Sequence, residues 1–445
     1  MKGARLGGFL WFLLGAGIFV LLGIAGERRS TVSMVDFKCV YYGARCLLEH
    51  CDPYQGSELL RVYQAERGDR ASDPDGHSRM VTLYVNLPTG FLLTAPFAML
   101  PWGPAHLLWM LLTGSSFLLA AYLMWDLAAR DAPVISGVLI FFFLFGSELL
   151  LEVGNTAGIA VSLCVIAVWC LVKERFVPAG ILCFALSLAV KPHNAGVVWL
   201  FFLLAGGLYR KRALQTLAMT AVLSLPAILW VCCVAPHWPA ELEANLRTIS
   251  AHGGPNDPGP GTIVPQSHGS SVTSMQTVFS VFRDEPHFYN LASWLLCAPL
   301  LLVWAFATLR ARFLPATAWL ALAAIVPLSM LPVYHRQHDT RLLLLVLPAF
   351  AMLWAKGGPR AWFALLFTAA GAVFTGDTPL QILAILSGHT GVSAASLYGK
   401  ALTIVLARPA PLIMLAMGIF YLWAYLRHTS AARHALPESR LGKVV

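Results

Sequence analysis

The chain has 445 residues, 58% of them hydrophobic and only 12% charged, whereas soluble domains carry about a quarter charged residues. That composition excludes an ordinary soluble domain and defines a polytopic membrane protein. The net charge of +9 does not point to nucleic acid, because the basic residues stand in small groups between apolar runs and form no stripe or long basic tail.

The first apolar run, about residues 6 to 24, follows a start carrying Lys2 and Arg5. It is long for a secretory signal and no convincing Ala-x-Ala site precedes Glu27, so it reads as a retained first helix. Asp36 follows about ten residues later, which sets an acid near the level of the lipid headgroups. Beyond it Phe37, Val40, Tyr41, Ala44, Leu47, Leu48 and Cys51 keep helical spacing, with Lys38, Arg45 and Glu49 on the other face. The pattern predicts a short helix lying along the membrane and ended by Asp52-Pro53. Ser33, three residues before Asp36, matches a capping box, so a structural role for the acid stands beside any chemical one.

Further apolar runs lie at about 104–125, 133–150, 156–172, 177–190, 195–209, 214–235, 290–308, 315–332, 342–355, 361–376 and 408–426. With the first they predict about 12 transmembrane helices. Alternate connections carry the basic residues: Lys2 and Arg5, Arg130, Lys173 and Arg175, Arg210-Lys211-Arg212, Arg310 and Arg312, Lys356 and Arg360, and the 427–445 tail. By the positive-inside rule both termini are cytoplasmic. The loops at 26–88 and 236–289, Lys191-Pro192-His193-Asn194 and the 333–341 turn then face outward. No repeat or soluble appendage interrupts residues 1–445, which read as one membrane-embedded domain.

No Walker A, Rossmann or paired Cys-x-x-Cys motif is present, so a nucleotide-sugar site has no support. Residues 251–261, rich in Gly, Pro, Asn and Asp, predict an irregular loop of the kind that covers sites. Of the nine cysteines, six accompany apolar runs; Cys39, Cys46 and Cys51 share the first external loop, where spacing does not choose a disulfide pair.

Asp36-Phe37, Tyr41-Tyr42, Ala44, Leu48 and Asp52-Pro53-Tyr54 resemble the first external loop of glycosyltransferase family 87, a family of polyprenyl-phosphate-sugar-dependent mannosyltransferases and relatives with the GT-C fold. Glu152-Val153-Gly154-Asn155, the pair Ala179-Gly180 and the ending Lys191-Pro192 resemble its Gly-x-Asn, Ala-Gly and Lys-Pro pattern. Tyr84 to Pro88 resembles its Tyr-and-Pro-rich entry to a span, with Asn-Leu-Pro in place of the commoner Tyr-Pro-Pro. The segment Tyr334-His335-Arg336-Gln337-His338-Asp339-Thr340-Arg341 resembles its late charged turn, and Gln266-Ser267-His268 stands where an Asn-Gln-Ser segment is frequent.

The resemblance implies an all-α GT-C enzyme with catalytic external loops and Asp36 as catalytic base. Lys191, Arg336 and Arg341 are candidates to hold the donor phosphate, and Tyr41, Tyr42, Asn155, His335 and His338 to touch substrate. Read without it, Lys191 is a lysine snorkelling at a span's end, and the 335–341 turn is a solvated connector. His335, His338 and Asp339 have metal-ligand spacing, but Arg336 and Arg341 would oppose a dication, so no metal and no cofactor is expected.

The expected reaction transfers a hexose, most readily mannose, from a polyprenyl phosphate to a lipid-linked or glycan acceptor outside the cytoplasm, with inversion. The partners implied are donor, acceptor and lipid bilayer, and no nucleic acid. Two other readings compete: a secondary transporter, disfavoured because the spans hold almost no ionisable residues, and a non-catalytic protein that flips or assembles lipid-linked sugars.

Overall fold

The computed structural model describes residues 2–30, 33–67, 80–259, 272–311, 314–376 and 396–434. Within them the chain is helical, and β-structure is limited to one bridge between Val272 and Arg336. The 266–271 segment singled out in the sequence lies outside the described residues.

Seven described helices are long and apolar enough to cross a membrane: Gly3–Arg29, Trp102–Ala128, Pro133–Glu152, Gly207–Val234, Pro286–Arg310, Gln337–Ala355 and Pro409–Ser430. The protein is therefore all-α and polytopic. The remaining five predicted runs are helical too, as Thr156–Val172, Val177–Val190, Pro192–Leu204, Pro315–Ser329 and Pro359–Phe374, but each has 17 residues or fewer. At about 1.5 Å per residue these reach no further than about 25 Å, short of a hydrocarbon core of about 30 Å, so helix length does not establish twelve crossings.

Ionic and ring contacts gather the basic connections in pairs. Arg5 forms an ion pair with Asp126, and Arg212 donates to the Leu171 carbonyl and lies 3.7 Å from Glu174. Arg360 and Arg427 both stand over the Trp423 ring. The contacts of Arg5, Arg212 and Arg360 each join two helices, one of which carries the basic residue near its end.

The helix after the first span, Val35–Leu48, is buried along most of its surface rather than lying with one face on lipid. It packs against Phe91–Ala98 and Gly56–Arg67. Phe37 stacks on Trp109 at 4.4 Å between ring centroids. Tyr41 and Tyr42 both pack on Trp102.

The helix ends before Asp52-Pro53 is reached. His50 takes a left-handed conformation (φ 57°), the Cys51 N–H turns back to the Cys46 carbonyl at 2.9 Å, and Cys46 is disulfide-bonded to Cys51 while Cys39 is free. The sequence had left that pairing open.

The start of this helix also departs from expectation. No side chain caps it; Ser33 Oγ donates to Glu27 instead, at 3.0 Å. The open N–H groups are met by the chain at 152–153: Met34 N donates to the Glu152 carbonyl (2.7 Å), and Asp36 N and Phe37 N donate to the Val153 carbonyl (3.0 and 3.3 Å). Gly154 makes that approach possible. Its φ of +67° suits glycine, and a Cβ there would lie 2.8 Å from Phe37 Cβ and 2.9 Å from Met34 Cε. The Gly154 carbonyl accepts from Trp109 Nε1 at 2.9 Å, so the turn is held from both sides.

Candidate active site

The docking of Val35–Leu48 on the 152–154 turn sets Asp36 beside Asn155. Asn155 caps the Thr156–Val172 helix, its Oδ1 accepting from Ala157 N at 2.8 Å, and its Nδ2 donates to Asp36 Oδ2 at 2.6 Å. Lys191 is the single residue between Val177–Val190 and Pro192–Leu204, in a non-helical conformation (φ −142°, ψ 80°), as a following proline disfavours the helical one. Its Nζ donates to Asn155 Oδ1 at 3.0 Å and to Asp339 Oδ1 at 3.3 Å.

Arg336 comes from another segment, just before the 3-10 helix Gln337–Val346. Its Nη2 donates to the Pro255 carbonyl (2.7 Å) and to Asn256 Oδ1 (3.0 Å), and Tyr334 Oη donates to the same Asn256 oxygen at 2.7 Å. These bonds tie the irregular 251–259 loop over the site.

Between them lies a cavity of about 650 Å³, room enough for a sugar and a phosphate. Asp36, Asn155, Lys191, Arg336 and His338 all line it, with His193 and Tyr334. A more apolar wall comes from Val35, Val40, Leu83, Leu246 and Ile249. Asp36 is the one acid among the lining residues. Residues from the N-terminal turns of the helices at 35, 156 and 192 all contribute to the lining.

The neighbouring groups hold their charge states firmly. Burial disfavours the Arg336 charge, but Tyr334, Asp36 and Asp339 outweigh burial and its pKa lies above the ordinary arginine value. Burial pushes the Tyr334 phenol up to about 12, which keeps it a neutral donor. The Cys39 thiol, also on the cavity wall, is pushed up to about 12 by burial and then by Asp36, which leaves it no thiolate to act as nucleophile. Two buried nitrogens, Arg336 Nε and His338 Nδ1, have no hydrogen-bond partner among the described residues. An unmet buried polar group costs about 1–3 kcal/mol, which a ligand oxygen would relieve.

Other residues singled out in the sequence lie elsewhere. Arg341 is buried and points away, donating to the Phe143 carbonyl and Ser147 Oγ (both 3.1 Å) and to the Thr375 carbonyl; it staples helix ends and lines no part of the cavity. Tyr41 donates to the Leu100 carbonyl at 2.8 Å and Tyr42 packs on Tyr63, so both serve the aromatic core. His335 is buried behind His193, 5.4 Å between ring centroids, with Nδ1 3.2 Å from the Val333 carbonyl. Asn155, expected as a substrate contact, does line the cavity, where it also bridges Asp36 and Lys191. Asp52 accepts from Tyr54 N at 2.9 Å and is a turn residue outside the cavity.

Two residues that the sequence had not marked for this role join the network. Asn194 Nδ2 donates to Asp339 Oδ1 at 2.8 Å, and Asp339 Oδ2 accepts from the Arg336 backbone N–H at 2.9 Å. No local spacing carries that signal, because the partners are 145 residues apart.

Fold and cavity together define a polytopic membrane protein with a carboxylate and two cations, Lys191 and Arg336, around one cavity. The model of glycosyltransferase family 87 matches residues 84–333, more than half of the chain, and the chain belongs to that family. It is a membrane glycosyltransferase, with sugar donor and acceptor substrates and a bilayer around it. No curated protein and no solved structure matches the chain. The matched segment contains Asn155, Lys191 and Asn256 and stops short of Asp36 and Arg336, which the geometry joins to it.

Proposed function

We propose that this enzyme transfers a hexose, mannose first among candidates, from a polyprenyl phosphate to a lipid-linked or glycan acceptor, using a single GT-C domain that spans residues 1–445. The observation that supports this reading is the placement of Asp36 and of Lys191 and Arg336 around one cavity. Asp36 takes the proton of the acceptor hydroxyl as its oxygen bonds to the anomeric carbon. The bond from that carbon to the phosphate oxygen breaks, and polyprenyl phosphate leaves with the electron pair. Lys191, Arg336 and the unpartnered nitrogen of His338 receive its charge. One displacement inverts the anomeric centre, so a β-linked donor gives an α-linked product. The scheme uses no metal and no cofactor.

The proposed orientation has both termini in the cytoplasm and the cavity on the extracytoplasmic face of the cell membrane. The pairing of basic connections with one another supports it. The deciding experiment gives the purified protein radiolabelled polyprenyl-phosphate mannose and a membrane lipid extract as acceptor. Label should pass to an acceptor as an α-linked sugar. Transfer only from a nucleotide sugar, or none from any donor, would sink the reading.

A further inference from the structure

We propose that Asp339 is a positioning residue that fixes the base and the two phosphate-holding cations at one spacing; the proposal rests on the reading of the cavity just given. Asp339 is 2% exposed and does not line the cavity, so it touches no substrate. Its carboxylate nevertheless reaches the Lys191 ammonium and the backbone that carries Arg336. Oδ1 accepts from Lys191 Nζ (3.3 Å) and Asn194 Nδ2 (2.8 Å), and Oδ2 accepts from the Arg336 backbone N–H (2.9 Å). Lys191 Nζ also donates to Asn155 Oδ1, and Asn155 Nδ2 donates to Asp36. One unbroken hydrogen-bonded chain therefore runs from the base, through Asn155 and Lys191, to the backbone that carries Arg336.

A plainer role for Asp339 is to cap the 3-10 helix that begins at Gln337. That role accounts for Oδ2 alone. Oδ1 receives two donors from a segment distant in sequence, 148 residues away for Lys191 and 145 for Asn194. A carboxylate beside a phosphate site also weakens the site's attraction for an anion, so its contribution there is geometry rather than charge. An ammonium has three donors; two of those on Lys191 are engaged by Asn155 and Asp339, and the third is aimed by them. Shifts of about 1 Å in such groups cost about a hundredfold in rate.

The test uses the full-length enzyme with polyprenyl-phosphate mannose as donor and polyprenyl phosphate as a binding probe. Asp339→Asn keeps an acceptor for the Arg336 N–H. It should stay folded at assay temperature with a lowered melting point, because a buried ion pair is broken, while kcat falls about tenfold to a hundredfold. Combined with Lys191→Met, its loss should fall well short of the product of the single losses, because both changes act on the same ammonium. Should Asp339→Asn fail to fold, Asn194→Ala leaves the helix cap intact, frees Oδ1 of one donor and should lower kcat severalfold. A folded Asp339→Asn protein with unchanged kcat overturns the proposal, as does a double variant whose losses multiply, or an unchanged kcat in Asn194→Ala where that variant replaces it. A wild-type enzyme that neither transfers the sugar nor binds polyprenyl phosphate overturns the functional reading, and this proposal with it.

Discussion

Asn155 Nδ2 donates to Asp36 Oδ2 at 2.6 Å, joining residues 119 positions apart. The capping-box reading of Asp36 and the catalytic one therefore separate, since the carboxylate meets an amide from another helix and no side chain caps the start of its own.

Asp36→Asn tests the base directly. Asparagine still accepts the Asn155 N–H and the helix start is held by backbone bonds, so the variant should fold and bind donor. Transfer should drop by at least about a hundredfold. Wild-type turnover in a folded Asp36→Asn protein would falsify the assignment of Asp36 as base.

Asn155→Asp probes the partner. The new carboxylate keeps the helix cap and the acceptor for Lys191 but loses the N–H donor and places a second acid against the first. Activity should fall, and the pH below which transfer fails should move upward. A pH–rate profile identical to wild type would show that the bond to Asp36 has no bearing on the reaction.

Gly154→Ala addresses the turn that seats the Asp36 helix. A methyl group at φ +67°, 2.8 Å from Phe37 Cβ, should destabilise the fold by about 1–3 kcal/mol. A clear drop in melting temperature is expected. An unchanged melting temperature would mean that the turn can shift freely.

Asp52→Asn concerns stability and pH. Burial pushes the Asp52 carboxyl up to about 6 from 3.8, against the Tyr54 N–H and with Glu241 adding to the rise. The folded state thus holds the proton more tightly than the unfolded chain, and this stabilisation, full below about pH 4, is lost as pH rises through about 6. The non-ionising variant should match wild type at pH 4 and melt higher at pH 7. Equal melting temperatures at both pH values would contradict the burial of that charge.

The orientation is open to labelling. In a background lacking reactive cysteines, His252→Cys, on an exposed side chain of the 251–259 loop, should react with an impermeant thiol reagent in intact cells. Lys211→Cys should react only after permeabilisation. The reverse pattern would turn the molecule over.

Much of the helical frame was legible because apolar runs and basic connections follow directly from the membrane's demands on a chain. Asp36, Lys191 and Arg336 were legible as residue types in connections that the basic-residue pattern assigns to one side. Their meeting was not, because it depends on Gly154 letting one backbone approach another and on Asp339 joining two distant segments. Arg341 reads in sequence like its neighbour Arg336. Only the direction of the side chain, toward the Phe143 and Thr375 carbonyls, separates a staple from a site residue.

The helices on either side of Lys191 carry one more consequence. Val177–Val190 and Pro192–Leu204 have 14 and 13 residues; Arg210 donates to the Leu203 carbonyl at the end of the second, and Arg212 donates to the Leu171 carbonyl, just before the first begins. Such a hairpin climbs only about 20 Å before it turns. With its base at the cytoplasmic edge of a hydrocarbon core of about 30 Å, as the proposed orientation would have it, its apex and the ammonium there would sit about 10 Å below the far edge. Charged lipid heads must then be drawn beneath their own plane, or the bilayer must thin to meet them. Turnover in reconstituted vesicles should accordingly rise as acyl chains shorten, making membrane thickness itself a control on the reaction.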